Sequence, residues 1–280
     1  MILSPIELSI KRKIEAVGTP LKDWDINIYR GLLTGYNDAF IITTQKRDEI
    51  LSNCQNEDER RRTEELIRPI LRGRDIKRYS YDWANLWLIW VPWHFPLHND
   101  TSIQGASDRA EQAFKEQYPA LYNHLLTFKK ELSARNKAET GIRYEWYALQ
   151  RWGANYWEEF LKPKIVYREI GFEMDACMVP EGWFVNNKLY LVTGDRIEYL
   201  LAFLNSKAFN KIILASANLT GGKGVDFLEK VRVPLEQSLI NEILSTQEEN
   251  KIDEIFNSFF GLSEEEKEFL LLDSKVGETY

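Results

Sequence analysis

Cysteine and histidine are scarce: two cysteines and three histidines in 280 residues. Cys54 and Cys177 stand far apart, with no metal-ligand spacing, which leaves no basis for a disulfide framework or a structural zinc site. Free thiols of this kind fit a reducing compartment, so the expected location is cytoplasmic. His94 and His98 are four apart, a spacing that would pair ligands on a helix, but Pro96 between them argues against one. His124 reads as an ordinary half-buried histidine. No run reaches the roughly 18 apolar residues that a membrane span requires. The longest candidate, 83–97, is broken by Asn85, Pro92, His94 and Pro96. With charges at Glu7, Lys11, Arg12 and Lys13 and no long apolar stretch there, no signal peptide is expected.

Catalytic signatures are equally sparse. The glycine-rich stretch Thr220-Gly221-Gly222-Lys223-Gly224 lacks the spacing of a phosphate loop, and no dinucleotide fingerprint follows a strand. No acid cluster sits beside a positioned lysine, as a metal nuclease would need. No repeat or low-complexity tract occurs.

What is abundant is aromatic: nine Trp, thirteen Tyr and fourteen Phe. Charge is unevenly placed. The net −7 hides a tail, 236–280, with twelve acids and three bases (−9), so residues 1–235 carry +2. Within them, 60–78 holds eight bases (Arg60, Arg61, Arg62, Arg68, Arg72, Arg74, Lys77, Arg78) against Glu64, Glu65 and Asp75, a local +5. Such a field suits a polyanion, although a solvated helix face would look the same.

Periodicity gives a coarse order of elements. A lead-in helix and linker occupy 1–23, ended by Gly18-Thr19-Pro20. Strand-like residues then flank the turn-rich Thr34-Gly35-Tyr36-Asn37-Asp38 as a hairpin or strand–loop–strand. A polar helical stretch covers 46–70, and a buried strand lies within 83–93. One amphipathic helix is expected over 107–138, then strands at 164–170 and 183–192. A helix capped by Asp195 runs to 214, a short strand ends at Pro234, and an acidic helical tail closes the chain. The sum is an α+β, mixed-strand domain over 24–235, with flanking helices and a helical tail at 236–280.

Two segments carry a family resemblance. The run Ile28-Tyr29-Arg30-Gly31-Leu32-Leu33-Thr34-Gly35-Tyr36-Asn37-Asp38-Ala39-Phe40-Ile41-Ile42 is followed by Ile67-Arg68-Pro69-Ile70-Leu71-Arg72-Gly73-Arg74-Asp75-Ile76-Lys77-Arg78-Tyr79. Together with Lys162-Pro163-Lys164-Ile165-Val166-Tyr167, Tyr199-Leu200-Leu201-Ala202-Phe203-Leu204-Asn205-Ser206 and the ending Phe260-Gly261-Leu262-Ser263, they resemble the TaqI-like C-terminal specificity domain. That domain occurs in adenine-specific DNA methyltransferases and single-chain restriction-modification enzymes.

The resemblance implies sequence-specific recognition of double-stranded DNA, beside a methyltransferase domain of the same parent chain or of a separate subunit. It places S-adenosylmethionine, and magnesium for any cleavage, in catalytic domains outside this sequence. The family's Asn-Pro-Pro-aromatic motif has no counterpart here, since no Pro-Pro pair occurs. The expectation is therefore no catalytic site, no cofactor, no resident metal and no membrane contact.

Candidate DNA contacts fall into four groups. Arg72, Arg74, Lys77 and Arg78 lie in a glycine-punctuated loop, where a guanidinium fork suits guanine, phosphate or an acid such as Asp75. Arg30, Thr34 and Asn37 form the second group, with turn chemistry as the other reading. Thr220, Gly221, Gly222 and Lys223 allow close backbone approach to phosphate, or simple flexibility. Trp93, His94, Gln104 and Arg109 occupy the stretch expected to read bases. Trp146, Tyr147, Trp152, Tyr156 and Trp157 suit a core better than base stacking. A single-strand or RNA-binding module is the rival reading, and a metal nuclease the third.

Overall fold

The computed structural model describes residues 3–171, 173–215, 223–246 and 248–272. Helix α1, Pro5–Val17, starts in a capping box: the Ser4 hydroxyl accepts from the Glu7 N–H while Glu7 accepts from the Ser4 N–H. Strand β1, Thr19–Pro20, then pairs antiparallel with the last strand, β12, Arg232–Val233.

Strand β2, Ile26–Arg30, is the edge of a four-stranded antiparallel sheet completed by β11, Leu189–Gly194, β8, Lys164–Arg168, and β9, Ala176–Val179. Alternation divides its residues between two cores. Ile165, Tyr167, Ala176, Tyr190 and Val192 join a core built with α1 and α8, Ile197–Leu204. Val166, Cys177, Val179, Leu189 and Leu191 face the second core. Both faces are covered, which is why β8 and β11 read as continuous apolar runs.

The second core packs a mixed sheet in the order β10, Phe184–Val185; β4, Ile67–Leu71; β7, Leu86–Ile89; β3, Ile41–Thr43. Around it lie α2, Asn37–Phe40, α3, Thr44–Ser52, α4, Glu57–Glu65, α5, Asp108–Gln117, α6, Pro119–Leu126, and α7, Lys129–Ala134. A small hairpin, β5, Ile76–Lys77, with β6, Ser80–Tyr81, leads from β4 toward β7.

The expected α+β class and the strand within 83–93 are what forms. Several element readings change. The hairpin around 34–38 does not form: β2 and β3 enter different sheets, joined through α2. The helical stretch over 46–70 ends at Glu65, and Pro69 lies inside β4. Pro69 is tolerated because its nitrogen faces β10, whose parallel ladder begins only at Ile70. The single helix over 107–138 is three, because Pro119 starts α6 and Phe128 leaves helical geometry before α7. The N-cap of α8 is Arg196 in a left-handed conformation (φ 58°), not Asp195, and 209–214 winds as a π-helix. Strand β9 had no sequence signal, lacking a β-branched run; pairing with β8 recruits it.

After α9, Val225–Leu228, three helices follow: α10, Gln237–Leu244, α11, Glu249–Phe259, and α12, Glu264–Leu271. Phe256 of α11 packs on Phe203 of α8 with ring centroids 5.5 Å apart. In the capping box of α12, Glu266 also accepts from Ser9 (2.7 Å) and Lys13 (2.6 Å), fastening α12 to α1.

Candidate nucleic-acid interface

The two signature segments, separated by 24 residues in the chain, meet on one turn. At the end of β2, the Gly31 N–H donates to the Leu189 carbonyl and the Leu32 N–H to that of Val185, both at 2.9 Å. From the other side the Asn186 N–H donates to the Leu71 carbonyl at 3.1 Å. The approach needs glycine: a β-carbon at Gly31 would lie 2.1 Å from the Asn186 carbonyl oxygen. The turn at 186–188 is thus held between the first signature and the second.

This junction exposes cations. Arg30 donates from Nε to the Asn187 carbonyl (2.8 Å) and from Nη2 to Glu169 (2.5 Å). Lys188 lies 3.8 Å from the other Glu169 oxygen. Gly73 packs against Lys188, its β-carbon position 3.6 Å from Lys188 Cβ, so the loop carrying Arg74 adjoins the same edge. Arg74 is exposed and has no ion pair or hydrogen bond among the described residues. Three cations against Glu169 leave a net +2.

The neighbouring candidates divide differently. Arg72 turns inward and grips buried Asp75 through Nη2 (2.8 Å) and Nε (3.0 Å), closing the Gly73–Asp75 turn. Lys77 pairs with Asp82 across the β5–β6 hairpin. Arg78 reaches Glu249 of α11 at 2.8 Å. Lys223 is buried and donates to the Glu173 carbonyl; burial and the nearby Arg168 push its ammonium down to about 8. Thr220, Gly221 and Gly222 lie outside the described residues.

Thr34 and Asn37 show turn chemistry. The buried Thr34 hydroxyl donates to Asn37 Oδ1 (2.7 Å) at the start of α2, with Gly35 left-handed at φ 80°. The Thr34 carbonyl accepts from Arg135, a buried guanidinium that also serves the Trp146 and Ala148 carbonyls. Burial pulls Arg135 down to about 10.

The stretch from 93 to 109 is ordered by a buried acid. Trp93 donates to the Leu149 carbonyl (2.8 Å) and stacks on Tyr144 at 4.7 Å, with the Arg143 guanidinium 5.5 Å from its centroid. Glu145 accepts from the His94 N–H (2.7 Å), His94 Nδ1 (3.0 Å) and the Ser107 N–H (2.9 Å). Arg109 pairs with Asp100. Gln104 is exposed, and Ile142, whose carbonyl binds the Ala106 N–H, is 62% exposed.

Sequence reasoning missed Lys188, Glu169, Arg143 and Glu145. Asn186-Asn187 signalled the turn that carries Lys188, but nothing local said what would meet there. The core reading of the aromatics holds for Trp146 and Tyr147, which are buried. Among the described residues no three His, Cys, Asp or Glu side chains could share a metal ion, and no helix is long and apolar enough to cross a membrane. Cys54 and Cys177 are free thiols, and burial raises Cys177 to about 12.

Residues 68–223, more than half of the chain, match the TaqI-like C-terminal specificity domain. The chain belongs to this family. The type II methyltransferase M.MjaIV of Methanocaldococcus jannaschii is 25% identical to this specificity domain over 209 residues, 72% of the chain and 61% of that protein. The chain thus spans about three fifths of the length of that relative. In fold it is similar to the type IIG restriction endonuclease BpuSI (TM-score 0.51, 14% identity, 95% of this chain and 31% of that one). The type IIL restriction-modification enzyme MmeI, solved in complex with DNA, aligns at TM-score 0.49 and 14% identity over 90% of this chain and 35% of its own.

Proposed function

We propose that this specificity domain reads a short sequence in double-stranded DNA and holds it in register for a methyltransferase domain, in the same parent protein or a separate subunit. In this reading the partner domain binds S-adenosylmethionine and flips the target adenine. Methylation, and any cleavage, belong to the partner and not to residues of this chain.

The observation that carries the reading is the junction at 186–188. Both signature segments close on it, and they present Arg30, Lys188 and Arg74 on one edge. Guanidinium and ammonium groups of this kind anchor phosphates and fix register, while base edges are read elsewhere. The polar stretch from 93 to 109 is the base-reading part of the proposal. Burial of Trp146 and Tyr147 takes two of the five candidate aromatics out of reach of base stacking, which counts against a single-strand binder.

The test is selection from a pool of random duplexes by the 280-residue chain at two salt concentrations, with sequencing of the bound fraction. The expected result is one enriched motif whose affinity falls steeply with salt. Equal binding to single strands, or no binding at low salt, overturns the proposal.

A further inference from the structure

His94 is held in a way that an ordinary loop histidine is not. Its backbone is left-handed, at φ 61°, a conformation uncommon for a side chain of this size. Its N–H and its Nδ1 both end on Glu145, whose side chain is 2% exposed and forms no ion pair with lysine or arginine among the described residues. The third bond to Glu145, from the Ser107 N–H, ties the start of α5 to the same acid. One buried carboxylate therefore fixes the imidazole by its backbone, its ring and the neighbouring loop.

The chemistry of that arrangement has a direction. A carboxylate only accepts, so the Nδ1 proton faces Glu145 and a neutral ring presents a lone pair at Nε2. Nε2 has no partner among the described residues and is not among the buried unpaired atoms, and the side chain is 16% exposed. The other two histidines lack this combination. His124 has its Nε2 at 3.0 Å from the Ala39 carbonyl, and His98 stacks on Phe95 with a sealed Nδ1. Beside His94 in the chain, Trp93 carries the Arg143 guanidinium 5.5 Å from its ring centroid, and Ile142, which precedes Arg143, is exposed.

We infer that His94, oriented by Glu145, reads a base edge that donates a hydrogen bond, the exocyclic amino group of adenine or cytosine in the major groove. This rests on the DNA-reading function proposed above. In the major groove those amino groups are the only donors that base pairs present, so an acceptor-only Nε2 discriminates against an edge where a carbonyl oxygen stands in that place. Glu145 is a positioning residue: it touches no DNA and acts by setting which ring nitrogen carries the proton.

The experiment repeats the duplex selection with wild type, His94→Ala and His94→Asn, the last chosen because asparagine accepts left-handed backbone and keeps the loop folded. The expected result is that one base-pair position of the motif, occupied by A or C on the contacted strand, loses about tenfold in preference. The remaining positions keep their weights. A motif unchanged at every position, or weakened evenly throughout, overturns the inference. If wild type itself enriches no motif, the DNA-reading function fails first; if it does and His94→Asn keeps the full motif, only the role of His94 fails.

A second measurement needs no variant to fold. In chain labelled with 15N-histidine the three imidazoles are resolvable, and the His94 pattern should show protonated Nδ1 and bare Nε2. Adding the selected duplex should move that Nε2 resonance, and a duplex with purine in place of adenine, or with the amino group of cytosine removed, should not. A proton on Nε2, or no movement at saturation with the selected duplex, refutes the assignment.

Discussion

Arg72 and Arg74 are two residues apart in one loop, and the structure gives them opposite work. The Arg72 side chain is 18% exposed and binds Asp75, 5% exposed, through two nitrogens, while Asp75 also accepts from the Arg72 N–H at 2.8 Å. Arg72→Ala leaves that carboxylate buried with its backbone bond alone. Breaking a buried pair from one side costs about 3–5 kcal/mol, and partial exposure of Arg72 reduces this to about 2–3 kcal/mol. For a chain of this size that lowers Tm by roughly 4–12 °C. Arg74→Ala removes an exposed cation with no partner among the described residues, so stability should stay within about 0.5 kcal/mol. Its effect should appear in DNA binding: a phosphate contact contributes about 0.9 to the slope of log affinity against log salt, and its loss weakens all sequences alike. Urea unfolding and duplex titration between about 50 and 200 mM salt measure both quantities. An Arg72→Ala protein that melts like wild type and takes a unit from the salt slope would refute the division of labour. So would an Arg74→Ala protein that is destabilised but binds DNA with an unchanged slope.

Gly31→Ala should do more damage than Arg72→Ala, because its methyl would meet the carbonyl oxygens of Asn186 at 2.1 Å and Val185 at 2.5 Å; the measure is soluble yield and urea midpoint, and a wild-type midpoint would contradict the close approach. Lys164 is wholly buried, donates to the Pro180 carbonyl at 2.9 Å, and burial brings it down to about 7. Since the unfolded chain then binds more protons between about 7 and 10.5, stability should rise with pH, by up to about 2 kcal/mol from pH 7 to 9, and Lys164→Met should flatten that rise. Burial alone would raise Glu266, but Lys13, the Ser263 N–H and Ser9 outweigh it and hold the carboxyl at about 2. Its contribution is fully present above pH 4.5 and is lost as pH falls toward about 2; with Lys13 a third exposed, screening limits it to about 1–2 kcal/mol. Glu266→Gln should therefore lower the pH 7 unfolding free energy by that amount, with the gap to wild type closing on acidification, and a gap constant down to pH 3 would refute the clamp.

How much of this was legible in the sequence follows from how local each determinant is. The lead-in helix declares itself because Ser4 and Glu7 are three apart, and the Gly18 that ends it is adjacent in sequence. The strand at 86–89 is legible because an apolar run stops at a proline. Pro69 misled for a related reason: a proline is read as a stop, and only the late start of the β10 ladder shows why it can stand within a strand. The helix expected over 107–138 carried one apolar stripe; its first break was legible in Pro119, whereas the second, at Phe128, whose ring packs on Tyr36, had no local signal.

The site was legible as composition and illegible as arrangement. Eight bases in 60–78 announce a field, yet the field is mostly spent at home: Arg60, Arg61 and Arg62 pair with Glu57 and Asp58, Arg72 with Asp75, Lys77 with Asp82 and Arg78 with Glu249. What remains for a polyanion is Arg68, half-buried in β4, and the exposed Arg74, and Arg74 becomes part of an edge only because β10 runs parallel to β4 and sets the turn at 186–188 beside Gly73. The same turn receives Gly31 from the first signature. Glycine at 31, arginine at 74 and lysine at 188 are then one requirement seen at three places in the chain. The glycine lets the segments touch, and the two cations are what touching them brings together.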